Sequence, residues 1–242
     1  MLPWRREAAD LPTARPLGSM MLRMRADSHT KASLIRKSFP VPPLNCICSI
    51  LGDPVTRQAI VVDPGGAHER ILQVVADLGL TIVSILHTHA HFDHFLASGE
   101  MKKATAAPLV LHRADGPLWD LLETQCRLFG VPYSPVPAPD YWVQDDEKII
   151  IGGLEGRALH TPGHTPGSMC FYFKEAQVLL AGDTLFRGGI GRTDLWGGDY
   201  QAIERSIQER LYTLPESTLV VAGHGPETQI GIEREYNPFV KG

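Results

Sequence analysis

Cysteine is scarce, and the four present, Cys46, Cys48, Cys126 and Cys170, include no CxxC pair of the kind that holds a structural zinc. Cys46 and Cys48 stand two apart in a strand-like run and so share one face, a poor geometry for bridging each other. All four read as reduced apolar fillers, which points to a cytoplasmic setting. Long hydrophobic runs are also missing. Thr81–Leu86 and residues 177–181 fall far short of the roughly 20 residues of a membrane-spanning helix, so no membrane partner is expected. Nor is there excess positive charge: 23 Lys and Arg against 27 Asp and Glu give a formal net charge of -4, which provides no general field for nucleic acid. What remains, 43% hydrophobic and 21% charged over 242 residues, is the usage of an ordinary globular chain and excludes disordered, collagen-like and disulfide-dense classes.

Residues 1–33 differ from the rest. They carry Arg5, Arg6, Arg15, Arg23 and Arg25 without sustained periodicity. Glu7, Asp10 and Asp27 argue against an acid-poor transit peptide, and a secretory signal would need a continuous apolar core of about 7–15 residues. A mobile leader is expected over 1–33, with Met20 and Met21 as alternative starts, and one folded domain over 34–242.

From residue 34 the punctuation becomes regular. Residues 45–51 and Gln58–Val62 read as paired strands around the turn Gly52-Asp53-Pro54. A helix bearing Ile71, Leu72, Val75 and Leu78 on one face follows, stopped by Gly79. Thr81–Leu86 is a β-branched run suited to a buried strand. A helix over 95–103, a strand over 109–111, a helical stretch near 117–129 and a Pro-rich loop over 131–139 come next. In the second half, Lys148–Ile151 and residues 156–160, 168–173, 178–181 and 218–222 read as strands. Tyr200, Ile203, Ile207 and Leu211 form a helical stripe that Asp199 can cap. Strands mixed with helices in both halves suggest a single domain of two sheets with helices outside, a four-layer αββα arrangement, although periodicity alone gives only mixed α and β.

The chemistry gathers at strand ends. The run His87-Thr88-His89-Ala90-His91-Phe92-Asp93-His94 directly follows Thr81–Leu86 and holds four of the ten histidines of the chain. Neutral imidazoles and a carboxylate are ligands that Zn²⁺, Fe²⁺ or Mn²⁺ accept. His164, Asp183 and His224 each follow a strand-like run and stand beside glycine, which allows tight backbone paths that aim side chains inward. Seven ligand-type residues at successive strand ends are the candidate metal site. His87 reads as packed or hydrogen-bonded, His112 and His68 as structural or exposed. His160 is a candidate for a supporting contact, and Asp63 can either hydrogen-bond a ligand imidazole or cap its turn. Trp119, Trp142 and Trp196 read as core or rim packing.

Residues 88–94, THAHFDH, resemble the T-H-x-H-x-D-H signature of the metallo-β-lactamase-fold hydrolases, whose remaining ligands His164, Asp183 and His224 match; the resemblance spans residues 35–240. The stretch 182–194, with Gly223-His224-Gly225-Pro226-Glu227-Thr228 and Asn237-Pro238-Phe239, is similar to the glyoxalase II (hydroxyacylglutathione hydrolase) group, in particular its short bacterial members that lack a C-terminal helical domain. The resemblance implies a metallo-β-lactamase-like αββα sandwich with two divalent ions, zinc before iron or manganese. His89, His91 and His164 would hold the first, Asp93, His94 and His224 the second, and Asp183 would bridge both. Asp93 and Asp183 would be the catalytic carboxylates. It implies hydrolysis of a small-molecule thioester, of the S-D-lactoylglutathione type, by a hydroxide between the metals.

Departures qualify the match. In the longer enzymes a lysine occupies the position of Arg192, and tyrosines those of Asp194 and Pro226. The charge survives here and the phenols do not, so Arg192 is the one candidate substrate contact; its alternative is a local pair with Asp194. A persulfide dioxygenase, resembling this group but using a single iron on residues matching His89, His164 and Asp183, is the competing enzyme. A metal-dependent binding or sensor protein is the competitor from another class. A β-lactamase would lack the bridging aspartate, and a nuclease would want a basic surface. Oligomeric state is not legible.

Overall fold

Alternating side chains along the central strands face different partners, and this alternation builds the layers. A computed structural model describes residues 34–242; the leader expected over 1–33 lies outside the described residues.

The first sheet runs in chain order: β1 (Ile35–Val41), β2 (Cys46–Gly52), β3 (Gln58–Val62), β4 (Thr81–Leu86), β5 (Leu109–His112) and β6 (Tyr141–Val143). The first three pair antiparallel through tight turns, and β3 to β6 pair parallel. Parallel neighbours need crossovers. These are α1 (His68–Asp77) before β4, α2 (Phe92–Phe95) and α3 (Ser98–Thr105) before β5, and α4 (Gly116–Asp120) and α5 (Leu122–Phe129) before β6. The chain continues through β7 (Lys148–Ile151), β8 (Leu154–His160), β9 (Met169–Phe173) and β10 (Val178–Gly182). A small hairpin, β11 (Leu185–Phe186) and β12 (Gly189–Ile190), follows. Then come α6 (Tyr200–Ser206) with a π-helical continuation Ile207–Leu211, β13 (Leu219–Ala222), β14 (Thr228–Gln229) and α7 (Ile230–Tyr236). The second sheet has the order β14-β13-β10-β9-β8-β7, parallel only between β10 and β13.

Three apolar cores separate four layers. On β3, Ala59 and Val61 share a core with Ile71 of α1, Met101 of α3 and Leu122 of α5. The alternate residues Ile60 and Val62 face the other sheet, with Phe171 of β9 and Leu180 of β10. On β10, Leu179 and Ala181 turn outward to Ile203 of α6, Ile207 and Ile230 of α7. Central strands buried on both faces carry apolar residues at every position, and the period of two sorts them between layers. The fold is therefore the expected αββα sandwich.

Helix ends follow local chemistry. Gly79, in the left-handed region at φ 62°, donates to Ala76 O and closes α1. Asp199 caps α6 by accepting the Ala202 N–H at 2.9 Å. The single helix expected over 95–103 is instead α2 and α3. The Ala97 N–H donates to Pro64 O at 2.9 Å rather than up the helix, and the break lets α2 begin inside the histidine motif. The stretch near 117–129 likewise divides at Leu121, whose φ and ψ of -96° and 6° are not helical. β1 and β6 are edge strands whose weak apolar alternation hid them from the sequence reading. Among the described residues no helix is long and apolar enough to cross a membrane.

Candidate metal centre

The seven candidate ligands arise from four strand ends and converge at the floor of one cleft. The loop after β4 and the first turn of α2 supply His89, His91, Asp93 and His94; His164 lies in the loop after β8, Asp183 directly after β10 and His224 shortly after β13. Their donor atoms include two groups within which all distances are 4.8 Å or less: His89, His91 and His164, and Asp93, His94 and His224. Asp183 forms a third such group with His89 and His94. Its Oδ2 lies 3.5 Å from His164 Nε2 and 3.8 Å from His224 Nε2, and its Oδ1 3.5 Å from His94 Nε2. Asp183 thus stands between the two sets.

Hydrogen bonds behind the rings decide which nitrogens face inward. His164 donates from Nδ1 to the Arg192 carbonyl at 2.8 Å, and His94 donates from Nδ1 to Asp63 Oδ2 at 3.0 Å. The Thr88 hydroxyl donates to the same Asp63 oxygen at 2.6 Å, which leaves its own oxygen to accept from His89 Nδ1 at 3.0 Å. With each Nδ1–H committed, the Nε2 lone pairs of all three rings point into the cluster.

That arrangement fits cations. His164 Nε2 approaches His91 Nδ1 to 2.9 Å and His94 Nε2 approaches His224 Nε2 to 3.3 Å, while His89 Nε2 and Asp183 Oδ1 are buried with no hydrogen-bond partner. Converging acceptors with orphaned lone pairs are costly unless positive charge lies between them. Burial, reinforced by the neighbouring imidazoles, lowers His91 to about 3 and drives His89 well below the ordinary histidine range, so both are neutral ligand-type rings. Burial alone would raise the Asp93 carboxyl, but His94 and His224 outweigh it and hold it at about 2. Close backbone approach is part of the design, because a Cβ on Gly223 would overlap Asp183 Oδ1 and one on Gly65 would overlap the Asp93 carbonyl.

The other singled-out residues divide. Asp63 takes the hydrogen-bonding role, gripping the His94 ring and, through Oδ1, the Thr88 N–H at 2.8 Å. Cys46 is more than a filler: its Sγ lies 3.2 Å from His94 Nδ1, while the described cysteines are all free and buried. His87 is packed, stacked 3.6 Å from the Phe95 ring and bonded to Ser98 and the Val110 carbonyl. His160 bonds the Pro166 carbonyl of the His164 loop and stacks on His112. Arg192 lines the cleft, but its guanidinium is paired bidentately with Asp194, at 2.8 and 2.7 Å, and its carbonyl is what orients His164.

Asp115 escaped the sequence reading. Fully buried in the turn after β5, it accepts the Ala90 N–H at 2.9 Å and the Thr165 hydroxyl at 2.8 Å on Oδ2, and the Gly167 N–H at 2.6 Å on Oδ1. One carboxylate thereby ties the loop of His89 and His91 to the loop of His164. Its only sequence signal was an acidic residue between a strand and a Gly-Pro helix start, which is also what an ordinary turn looks like.

The cleft above the cluster encloses about 480 Å³. Its walls are Leu44, Phe129, Phe186, Leu195 and Trp196, and among the described lining residues the Arg192–Asp194 pair supplies the only charge beyond the candidate ligands.

Residues 41–224 match the family described as the metallo-beta-lactamase superfamily. A Bacillus subtilis protein named "Probable metallo-hydrolase YqgX" is 44% identical over 187 residues, covering 76% of this chain and 88% of that protein. The hydroxyacylglutathione hydrolase GloC of Haemophilus influenzae is 37% identical over 204 residues, covering 84% and 96%. Among solved structures, BLEG-1 B3 metallo-beta-lactamase has a TM-score of 0.80 at 36% identity, covering 86% of this chain and all of that one. TTHA1623 in a di-iron-bound form has a TM-score of 0.78 at 35% identity, covering 84% and all of it. A divalent-metal fold, a matching family signature and His/Asp clusters at its strand ends agree: this chain belongs to the metallo-beta-lactamase superfamily.

Proposed function

We propose that the chain hydrolyses a thioester of the S-2-hydroxyacylglutathione type, releasing glutathione and a 2-hydroxy acid. The observation that carries the reading is the chemistry of the cleft floor. Asp183 groups with His89 of one candidate set and His94 of the other, and among the described residues no lysine, tyrosine, serine or cysteine lines the cleft to protonate a leaving group. A thiol leaves readily as its anion, having a pKa near 8.5, whereas an amine must be protonated as it departs. The likeness to GloC, over 84% of this chain and 96% of that protein, supports the same reading.

His89, His91 and His164 would hold one divalent ion and Asp93, His94 and His224 a second, with Asp183 shared. When bound, such ions supply a water of lowered pKa and positive charge for the developing oxyanion. The chain's own residues do the rest. Asp93, ionised at the floor, accepts a hydrogen bond from the attacking water and orients it toward the carbonyl. Asp63, Thr88 and the Arg192 carbonyl fix the imidazoles so that no ring must reorient during turnover. Arg192 is exposed enough to exchange Asp194 for a substrate carboxylate, since a surface pair of this kind is worth only about 0–1 kcal/mol. A single-iron dioxygenase would use His89, His164 and Asp183 and leave the set Asp93, His94 and His224 without a role.

The test is steady-state hydrolysis of S-D-lactoylglutathione with metal content measured on the same sample, loaded with zinc, iron or manganese. Chelator-sensitive turnover with near two metals per chain is expected, and Arg192→Ala should raise KM more than it lowers kcat. No turnover of this compound or of a bulkier 2-hydroxyacyl thioester from a filled site would overturn the thioester reading and favour a binding or sensor role.

A further inference from the structure

We infer that the acyl group of the substrate is apolar and bulky, an aromatic 2-hydroxyacyl group rather than lactoyl, and that Phe129 and Trp196 select it. The inference rests on the thioester reading above. It starts from where the chain leaves large apolar side chains in solvent. Leu44, Leu128, Phe129 and Trp196 are 45%, 67%, 52% and 51% exposed, and all four line the same cleft. They come from three separate segments: the turn between β1 and β2, the end of α5, and the loop after β12. Scattered exposed hydrophobics need no explanation, but several from distant segments around one cavity mark a binding surface.

The wall is also continuous with the chemistry. The Phe129 ring lies 4.9 Å, centroid to centroid, from Phe92, which precedes Asp93. An apolar group on the carbonyl carbon's neighbour would therefore meet aromatic surface beside the candidate ligands. Glutathione carries two carboxylates and an ammonium at neutral pH, and these charged ends need water or a charged partner, which aromatic surface does not supply. Only the Arg192–Asp194 pair offers it a charged partner among the lining residues outside the cluster. The arm that faces the wall is then the acyl arm.

The test compares S-D-lactoylglutathione with S-mandeloylglutathione on the metal-loaded full chain. The two share thiol, hydroxyl and scissile carbonyl and differ by a methyl against a phenyl group. Mandeloyl should be favoured by about 10-fold or more in kcat/KM, the scale on which apolar pockets discriminate. In Phe129→Ala and in Trp196→Ala, checked for unchanged melting temperature, that preference should fall about 5-fold or more toward unity. A preference at or below unity, or one that both substitutions leave intact, overturns the inference while the thioesterase stands. Hydrolysis of neither compound by protein with filled metal sites overturns the thioester reading itself.

Discussion

Asp115→Asn isolates the brace between the ligand loops. The carboxylate receives three hydrogen bonds, two on Oδ2 and one on Oδ1. An amide has one oxygen. If that oxygen takes the Oδ2 position, the Ala90 and Thr165 bonds survive, and the NH₂ group confronts the Gly167 N–H, donor against donor. Losing one charge-assisted bond costs about 1.5–3 kcal/mol, and orphaning a buried N–H adds about 1–3 kcal/mol. Against this, burial raises the Asp115 carboxyl above its ordinary value, so removing the charge relieves a desolvation cost. The net loss should be about 2–3 kcal/mol, a fall of about 5–10 °C in Tm for a chain of this size. Calorimetry of metal-free protein reads that number. Binding titrations should show affinity at the set His89, His91 and His164 falling about 10- to 100-fold, the usual effect of disturbing what holds a ligand in place. Weakened folding alone would not move the affinity of the folded fraction. A variant with wild-type Tm and wild-type metal affinity would refute the reasoning.

Asp183→Asn removes the charge between the two ligand sets; metal content should drop from near two toward one per chain and turnover by about 100-fold or more, read by elemental analysis beside kinetics. Phe171→Ala empties the middle of the core between the sheets, where the ring is fully buried, and should cost about 3–5 kcal/mol in urea denaturation. A loss under about 1 kcal/mol would mean that the two sheets close over the gap. Asp53 accepts N–H groups from Gly153 at 2.7 Å and Val55 at 2.8 Å, which together hold its carboxyl below the ordinary range. A depressed folded pKa gives stability above the unfolded value of about 3.9 that is lost as pH falls through the folded value. Asp53→Asn should therefore melt below wild type at pH 7 and approach it by pH 2.5, and an equal gap at both would contradict the linkage.

Much of this protein was legible in one dimension because its signals are local. Two-sided burial writes continuous apolar strands such as Val178–Gly182, and helix stops and caps such as Gly79 and Asp199 act within a few residues of themselves. The ligand-type residues were legible for another reason: four histidines in eight positions after a strand have few other uses, and glycines mark His164, Asp183 and His224. Edge strands β1 and β6 were not legible, since pairing on one side imposes little pattern. Nor was the division of α2 from α3, because the Pro64 carbonyl that interrupts it lies 33 residues away from Ala97 in the chain.

The sequence by itself determined a mixed α/β chain and the roster of side chains able to bind metal, and its motif resemblance supplied the sandwich. Tertiary structure decided their relations. Asp63 became the partner of His94, Asp115 the tie between two loops, and the Arg192 carbonyl the anchor of His164, while the Arg192 guanidinium turned to Asp194. Tertiary structure also gathered Leu44, Phe129 and Trp196 around one cleft. The physical reason is range: hydrophobic period and capping act between neighbours, whereas a hydrogen bond or a cavity wall depends on which distant segments the folded sheets bring within a few ångströms.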